Sequence, residues 1–317
     1  MYSNSCLEMH SATRIVDQYM SSFDRFQHSG TCAIVYHHYV FALVMSGRYG
    51  DAGTAQDKLT ALAAREGIDA RSRAYALASA IFLSCIIASR FPSIETFERH
   101  SNEAIALAST ADDAYLQFFT QFAIGWVELH RGRSAKAQQA AQTLLAIGRR
   151  MDDPRSIGFG MNLLGWNALA TDDYQAALGF TEIGIGNART LWDRVSCNNV
   201  YCSALVLLKR PEGYQTFQNA VDQMKDRGWL YMLTGADGIM GVALAIRGEL
   251  AASIRWMEEV ISKREKETTR VLADWYRLFL CEIYLEIISG KEKPPLNVLI
   301  RNAHCRSRTF QIRFDAR

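Results

Sequence analysis

Three sets of residues in this chain have types and spacings that chemistry uses. His37 and His38 are adjacent imidazoles, the kind of pair that can hold a metal or pass a proton. The carboxylate pairs Asp112-Asp113, Asp152-Asp153 and Asp172-Asp173 invite acid–base catalysis. Gly158-Phe159-Gly160 and Gly184-Ile185-Gly186 approach a dinucleotide-binding fingerprint. Each fails on the geometry the chemistry needs. Neighbouring residues on a helix point about 100° apart, so two adjacent histidines do not readily share one ion. Leu163 and Arg189 occupy the third glycine position of the fingerprint, and neither run follows a strand. The aspartate pairs recur where helices are expected to start and turn, and there a short carboxylate accepts a bond from a free first-turn N–H, so capping and dipole compensation are expected of them.

The remaining signatures are equally spare. No H-E-x-x-H or G-x-S-x-G occurs, and His100 and His130 are isolated in sequence. A P-loop needs a Gly-Lys pair at the mouth of a glycine-rich turn. The Gly290-Lys291 pair is followed by Glu292, with Leu285 where the first glycine should be. None of the seven cysteines forms a C-x-x-C, and their odd number suits a reducing compartment. Cys197 and Cys202 have no histidine near them, while Cys85 and Cys281 sit in apolar runs and are expected to act as small core residues. No catalytic group, metal or cofactor is expected.

Composition agrees with a chain that can fill a core and is not disordered. The 317 residues are 49% apolar and 21% charged, with only 5 Pro against 21 Gly, too little proline for a loop-rich or linker-rich protein. The longest stretch without Asp, Glu, Lys or Arg, residues 26–47, is long enough to span a bilayer but holds His28, His37, His38 and Gln27. The chain opens without a basic region followed by an apolar run, so a cytoplasmic protein with no membrane partner is expected. Net charge is +2, divided between a +5 tail over residues 291–317 and a −3 body. A solvated tail, with no specific nucleic-acid partner, is the expectation.

The elements that would position these residues are helices throughout. Apolar residues recur at helical spacing, as in Leu272, Trp275, Tyr276, Phe279, Leu280 and Ile283. Asp69, Asp112, Asp152 and Asp193 each precede such a stretch and are expected to cap it. Helix-breaking turns are expected around Gly47, Arg90-Phe91-Pro92, Gly132, Asp172-Asp173, Arg210-Pro211, Gly248 and Gly290, a rhythm near 40 residues. Two helices per 40 residues predicts a helical repeat array. Gly125, Gly165 and Gly241 each precede a turn residue by seven positions and a small residue, Ala137, Ala177 or Ser253, by twelve. Glycine opposite a small residue lets two helices approach closely across a hairpin.

The hexapeptides Gly47-Arg48-Tyr49-Gly50-Asp51-Ala52 and Asp172-Asp173-Tyr174-Gln175-Ala176-Ala177 resemble the turn of tetratricopeptide repeats. The apolar–Gly pair with a small residue twelve positions on belongs to the same pattern. The chain departs from it in its period, near 40 instead of 34, and in carrying Glu128, Ala168 or Leu244 where a large aromatic is expected. The stretches from Glu98 to Ala108 and from Asp274 to Ile288 resemble the C-terminal helical-repeat tails of bacterial class III adenylate cyclases that carry an ATPase module. The resemblance covers roughly residues 31–300. It implies a bacterial regulatory tail without the cyclase domain, and a cyclase or ATPase module as effector.

The expected architecture is an all-α, tetratricopeptide-like α-solenoid of about six helix pairs over residues 31–290, stacked as a right-handed superhelix. Residues 1–30 form a lead-in helix or flexible arm with Ile15, Val16, Tyr19, Met20 and Phe23 on its apolar face, and residues 291–317 an irregular basic tail. First helices line the concave side of such arrays. Repeat alignment puts Ile34, His37, Phe41 and Val44 there, then Phe119, Phe122, Trp126 and Leu129, then Phe159, Asn162, Trp166 and Leu169. This stripe is either core or a groove for a peptide; the groove residues would be His37, Phe41, Phe119, Phe122, Trp126, Phe159, Asn162 and Trp166. The expected function is a non-catalytic sensor that binds a protein or peptide partner and reports to an effector, with a stand-alone scaffold or chaperone-like adaptor as the alternative. Lys293-Pro294-Pro295 delays the helix that should cover residues 270–289, so residues 303–317 are expected not to pack as a repeat helix. The chain then looks truncated near residue 303, with self-association through that end.

Overall fold

In the computed structural model, the residues described are 13–19, 30–90, 92–266 and the helical positions 276, 277, 280, 281, 283 and 284. Among them there are twelve α-helices with defined bounds and no strand. We number them α1 (Gly30–Met45), α2 (Tyr49–Ala63), α3 (Ala70–Ser84), α4 (Ile94–Thr110), α5 (Ala114–His130), α6 (Ser134–Met151), α7 (Pro154–Ala170), α8 (Tyr174–Asn187), α9 (Leu191–Leu207), α10 (Gly213–Asp226), α11 (Leu230–Ile246) and α12 (Leu250–Lys266). They pair as six antiparallel hairpins, and each odd-numbered first helix also packs on the next first helix. The fold is a tetratricopeptide-like helical repeat.

The aspartate pairs explain how the rhythm is kept. Asp112, Asp152 and Asp172 adopt left-handed backbone, φ 47°, 50° and 63°, which ends the preceding helix. The second aspartate then caps the next helix: Asp113 accepts from Leu116 N–H, Asp153 from Ser156 N–H and Asp173 from Ala176 N–H. The expected caps therefore need correcting by one residue. Asp112 and Asp152 are stops, while Asp113 and Asp153 are starts. Asp69 caps α3 through Ser72 N–H as expected, whereas Asp193 is the third helical residue of a capping box closed by Thr190. Gly47, Gly132 and Gly248 hold the tight turns at φ 74°, 67° and 84°.

The close approaches fall near the expected glycines, with a shift. Ser253 Oγ donates to Gly241 C=O at 2.7 Å, as the pairing scheme requires. At Gly165, however, an added Cβ would meet Thr181 Cγ2 at 2.7 Å and Val200 Cγ1 at 3.0 Å before the Ala177 backbone at 3.8 Å. At Gly125 it would meet Leu163 and then Ala140 at 3.2 Å, not Ala137. Within the hairpin the crowding residue, Thr181 or Ala140, lies about one turn beyond the expected one, and Val200 or Leu163 of the following repeat crowds the same glycine.

Other expectations are corrected at the edges. In the lead-in helix Val16 packs on the core, but Ile15 and Tyr19 are about half exposed, at 54% and 52%. Met20 and Phe23 lie outside the described residues. Cys85 is buried as expected, and Cys281 is exposed instead. The Gly290 turn and the tail at residues 291–317 also lie outside the described residues. Among those described, no helix is long and apolar enough to cross a membrane.

Candidate interaction surface

The first helices bring the expected stripe together, but mostly facing itself. His37, Phe41, Phe119, Phe122, Phe159 and Asn162 are all buried. Phe122 and Phe159 meet edge to face with centroids 5.0 Å apart, Phe41 and Phe119 at 6.0 Å, and His37 and Phe119 at 4.5 Å. Trp192 from α9, which the alignment did not single out, stacks on Phe159 at 5.2 Å and reaches Phe41 at 5.7 Å. These six residues therefore form interior packing, not the wall of an open groove.

Two members of the stripe differ. Trp126 and Trp166, at the same position of successive repeats, are partly exposed, and their rings lie 5.8 Å apart at 52°. Phe122 backs Trp126 at 6.0 Å and His130 flanks it at 5.5 Å. His130 Nδ1 bonds the Trp126 carbonyl at 2.8 Å, tying the pair to the last turn of α5.

His37 and Asn162 occupy equivalent positions and do equivalent work as bolts between repeats. His37 Nδ1 lies 2.6 Å from Ser79 Oγ on α3, and Asn162 Nδ2 donates to the Ser196 carbonyl on α9 at 2.9 Å. His37 Nε2 lies 3.0 Å from Tyr115 Oη, so both ring nitrogens are occupied. Beside this cluster Asp113 takes bonds from Arg71 at 2.7 Å and Tyr75 Oη at 3.0 Å, and Arg155 pairs with Asp193 at 3.1 Å. Repeat spacing alone could have found these ion pairs, since Arg71 precedes Asp113 by one repeat and Arg155 precedes Asp193 likewise.

The electrostatics follow from burial. Desolvation holds His37 well below the ordinary imidazole value, brings His38 down to about 4 and also lowers His130. Burial alone would raise the Asp113 carboxyl, but Leu116 N–H, Arg71 and Tyr75 outweigh it and hold it low. Cys85, Cys197 and Cys202 are pushed up to about 12 by burial, so their thiols are unreactive. Among the described residues no group of three or more His, Cys, Asp or Glu is arranged to hold a metal.

Comparison with known proteins fixes the fold and goes no further. No family model matches the chain, and no curated protein matches it. A solved structure does: a Rap protein complexed with Competence and Sporulation Factor superposes with a TM-score of 0.58 at 11% identity. The match covers 88% of this chain and 77% of that one. At this identity the likeness is one of fold, so the helical-repeat part of the resemblance stands and the link to cyclase tails rests on the residues quoted for it.

Proposed function

We propose that this chain is a non-catalytic regulatory module that binds a peptide or protein segment, with Trp126 and Trp166 as its contact point. The observation that carries this is the repeated, partly exposed tryptophan pair on a face whose other aromatics are buried. Partly exposed tryptophans anchored by packing from behind are residues that binding hot spots favour. The likeness to a Rap protein bound to Competence and Sporulation Factor is consistent with a peptide partner. The groups that could suggest catalysis are otherwise engaged: the aspartate pairs end and cap helices, and His37 bolts two repeats together.

The test is selection of binders from a random peptide display library with the full chain. Peptides are expected that lose affinity at least about tenfold when Trp126 and Trp166 are both changed to Ala, in a variant that keeps the helical far-UV circular dichroism of wild type. Peptides that bind the double variant as well as wild type would move the site elsewhere. Downstream, the reading is a sensor reporting to a cyclase or ATPase effector, as the resemblance of residues 98–108 and 274–288 suggests. A gene neighbour encoding such an effector favours the sensor, and its absence the stand-alone scaffold.

A further inference from the structure

In a repeat array each unit packs on its neighbours, so the stability of the whole is close to a sum of local interfaces. Here a second kind of contact joins the ends. α1 touches α11, and the two belong to the first and last of the six hairpins. A Cβ added to Gly47, in the α1–α2 turn, would stand 3.1 Å from Leu230 Cδ1 and 3.2 Å from Leu230 Cβ. Inside this edge the Phe82 ring of α3 lies 6.3 Å from Tyr231 of α11, and Phe41 of α1 lies 5.7 Å from Trp192 of α9. One continuous core runs from Cys32 through these rings to Ala243. The described array is therefore closed on itself, with a seam between its first and sixth hairpins.

The seam joins repeats that are not neighbours along the chain. Its loss breaks no hairpin and no contact between successive first helices, because every repeat keeps its neighbours. Its rim is already wet: Leu230 is 36% exposed and Gly47 is partly exposed. Its inner wall, by contrast, is made of the rings of Phe41, Phe82, Trp192 and Tyr231, which carry no charge.

We propose that this seam is a latch that opens without unfolding the repeats, and that opening it turns the aromatic interior into a binding surface for an apolar or aromatic peptide segment. The second half rests on the peptide-binding reading above; the first does not. Closed, the chain keeps these rings buried and leaves the Trp126–Trp166 pair partly exposed. Open, it adds a continuous aromatic wall next to that pair.

Hydrogen exchange on the full-length chain tests the latch. In the wild type, amides of α1 and α11 are expected to exchange faster than those of α7, which lies away from the seam. Leu230→Lys should speed exchange in α1 and α11 by about tenfold or more while leaving α7 unchanged, and Leu230→Met should behave as wild type. The opened variant should also bind anilinonaphthalene sulfonate with unchanged far-UV circular dichroism. Equal protection of α1, α7 and α11 in the wild type overturns the latch whether or not the variant folds, as does a Leu230→Lys effect spread evenly over all three. Opening without dye uptake overturns the binding surface. None of these readouts involves Trp126 or Trp166, so failure here is distinct from failure of binding at that pair.

Discussion

The hairpins begun by α5 and α7 and those begun by α9 and α11 solve the same packing problem with different residues. α5 and α7 start 40 residues apart, and the order of buried and partly exposed positions is identical over 116–130 and 156–170. Both are capped by the second aspartate of a pair, and both carry glycine followed by tryptophan. In the other two hairpins the spacing drifts to 37 and 39 residues, counted from α7 to α9 and from α9 to α11. α9 is capped by a Thr190–Asp193 box, and α11 begins after Trp229, which makes no side-chain cap bond but is fully buried. The tryptophan position of α7 becomes Ser203 in α9, buried and donating to the Asn199 carbonyl at 2.6 Å. The hairpins hold their geometry through a stop and a start that is side-chain capped at α5, α7 and α9 but not at α11, and the aromatic content around these is free to vary.

Glycine replacement should separate the two regions most. At Gly213, which opens α10, an added Cβ would strike backbone, at 2.8 Å from the Leu205 carbonyl carbon and 2.9 Å from its oxygen. Gly213→Ala should therefore cost about 3 kcal/mol, whereas Gly125→Ala meets the far end of the Leu163 side chain instead of backbone and should cost about 1 kcal/mol. Equal losses in denaturant melts would erase the distinction. Gly165→Leu, pressed between Thr181 and Val200, should cost about 1–3 kcal/mol.

Caps should rank next. Asp113 holds a backbone N–H, Arg71 and Tyr75, so Asp113→Ala should cost about 2 kcal/mol, against about 1 kcal/mol for Thr190→Ala. A Thr190 variant as damaging as the Asp113 variant would show that the charge network around Asp113 adds nothing to its cap.

Acid should act unevenly as well. His37, His38 and His130 all lie in α1 and α5, and all are held below the ordinary value of 6.5 by burial. As pH falls the unfolded chain takes up those protons first, so stability from these groups is full above 6.5 and is lost on acidification toward the folded values, about 4 for His38. Melting temperatures should be flat from about pH 7 to 8 and fall from 6.5 to 5, with exchange rising in α1 and α5 before α9. A flat profile down to pH 5 would mean these rings are not buried.

The smallest effect on stability belongs to the tryptophan pair. Trp126→Phe and Trp166→Phe should each change stability by less than about 1 kcal/mol, since both rings are partly exposed. Both replacements should nevertheless lower the acrylamide-quenchable emission, leaving partly exposed Trp256 quenchable and buried Trp192 and Trp229 shielded. Unchanged quenching would return the pair to the core.

The array itself was legible from one sequence. Stops near Gly47, Gly132, Asp172 and Gly248, and hairpins about 40 residues long, follow from local rules: glycine or aspartate in left-handed backbone ends a helix, and a short carboxylate starts one. Even the one-residue error at Asp112 and Asp152 is local, since either aspartate of a pair can cap and only backbone angles say which does. The stripe could be named but not assigned. Helical spacing places His37, Phe41, Phe119, Phe122, Phe159 and Asn162 on one face, but whether that face is groove or core depends on what lies across from it. Trp192, Tyr231 and Leu230 lie across from it, contributed by helices far along the chain. No periodicity within a repeat encodes the curvature that brings the last hairpin back to the first. That curvature is the sum of small rotations at every interface, each set by the side chains packed there. Sequence therefore determined the unit and its boundaries, and the stacked structure alone decided that the array closes on itself and leaves Trp126 and Trp166 at the surface.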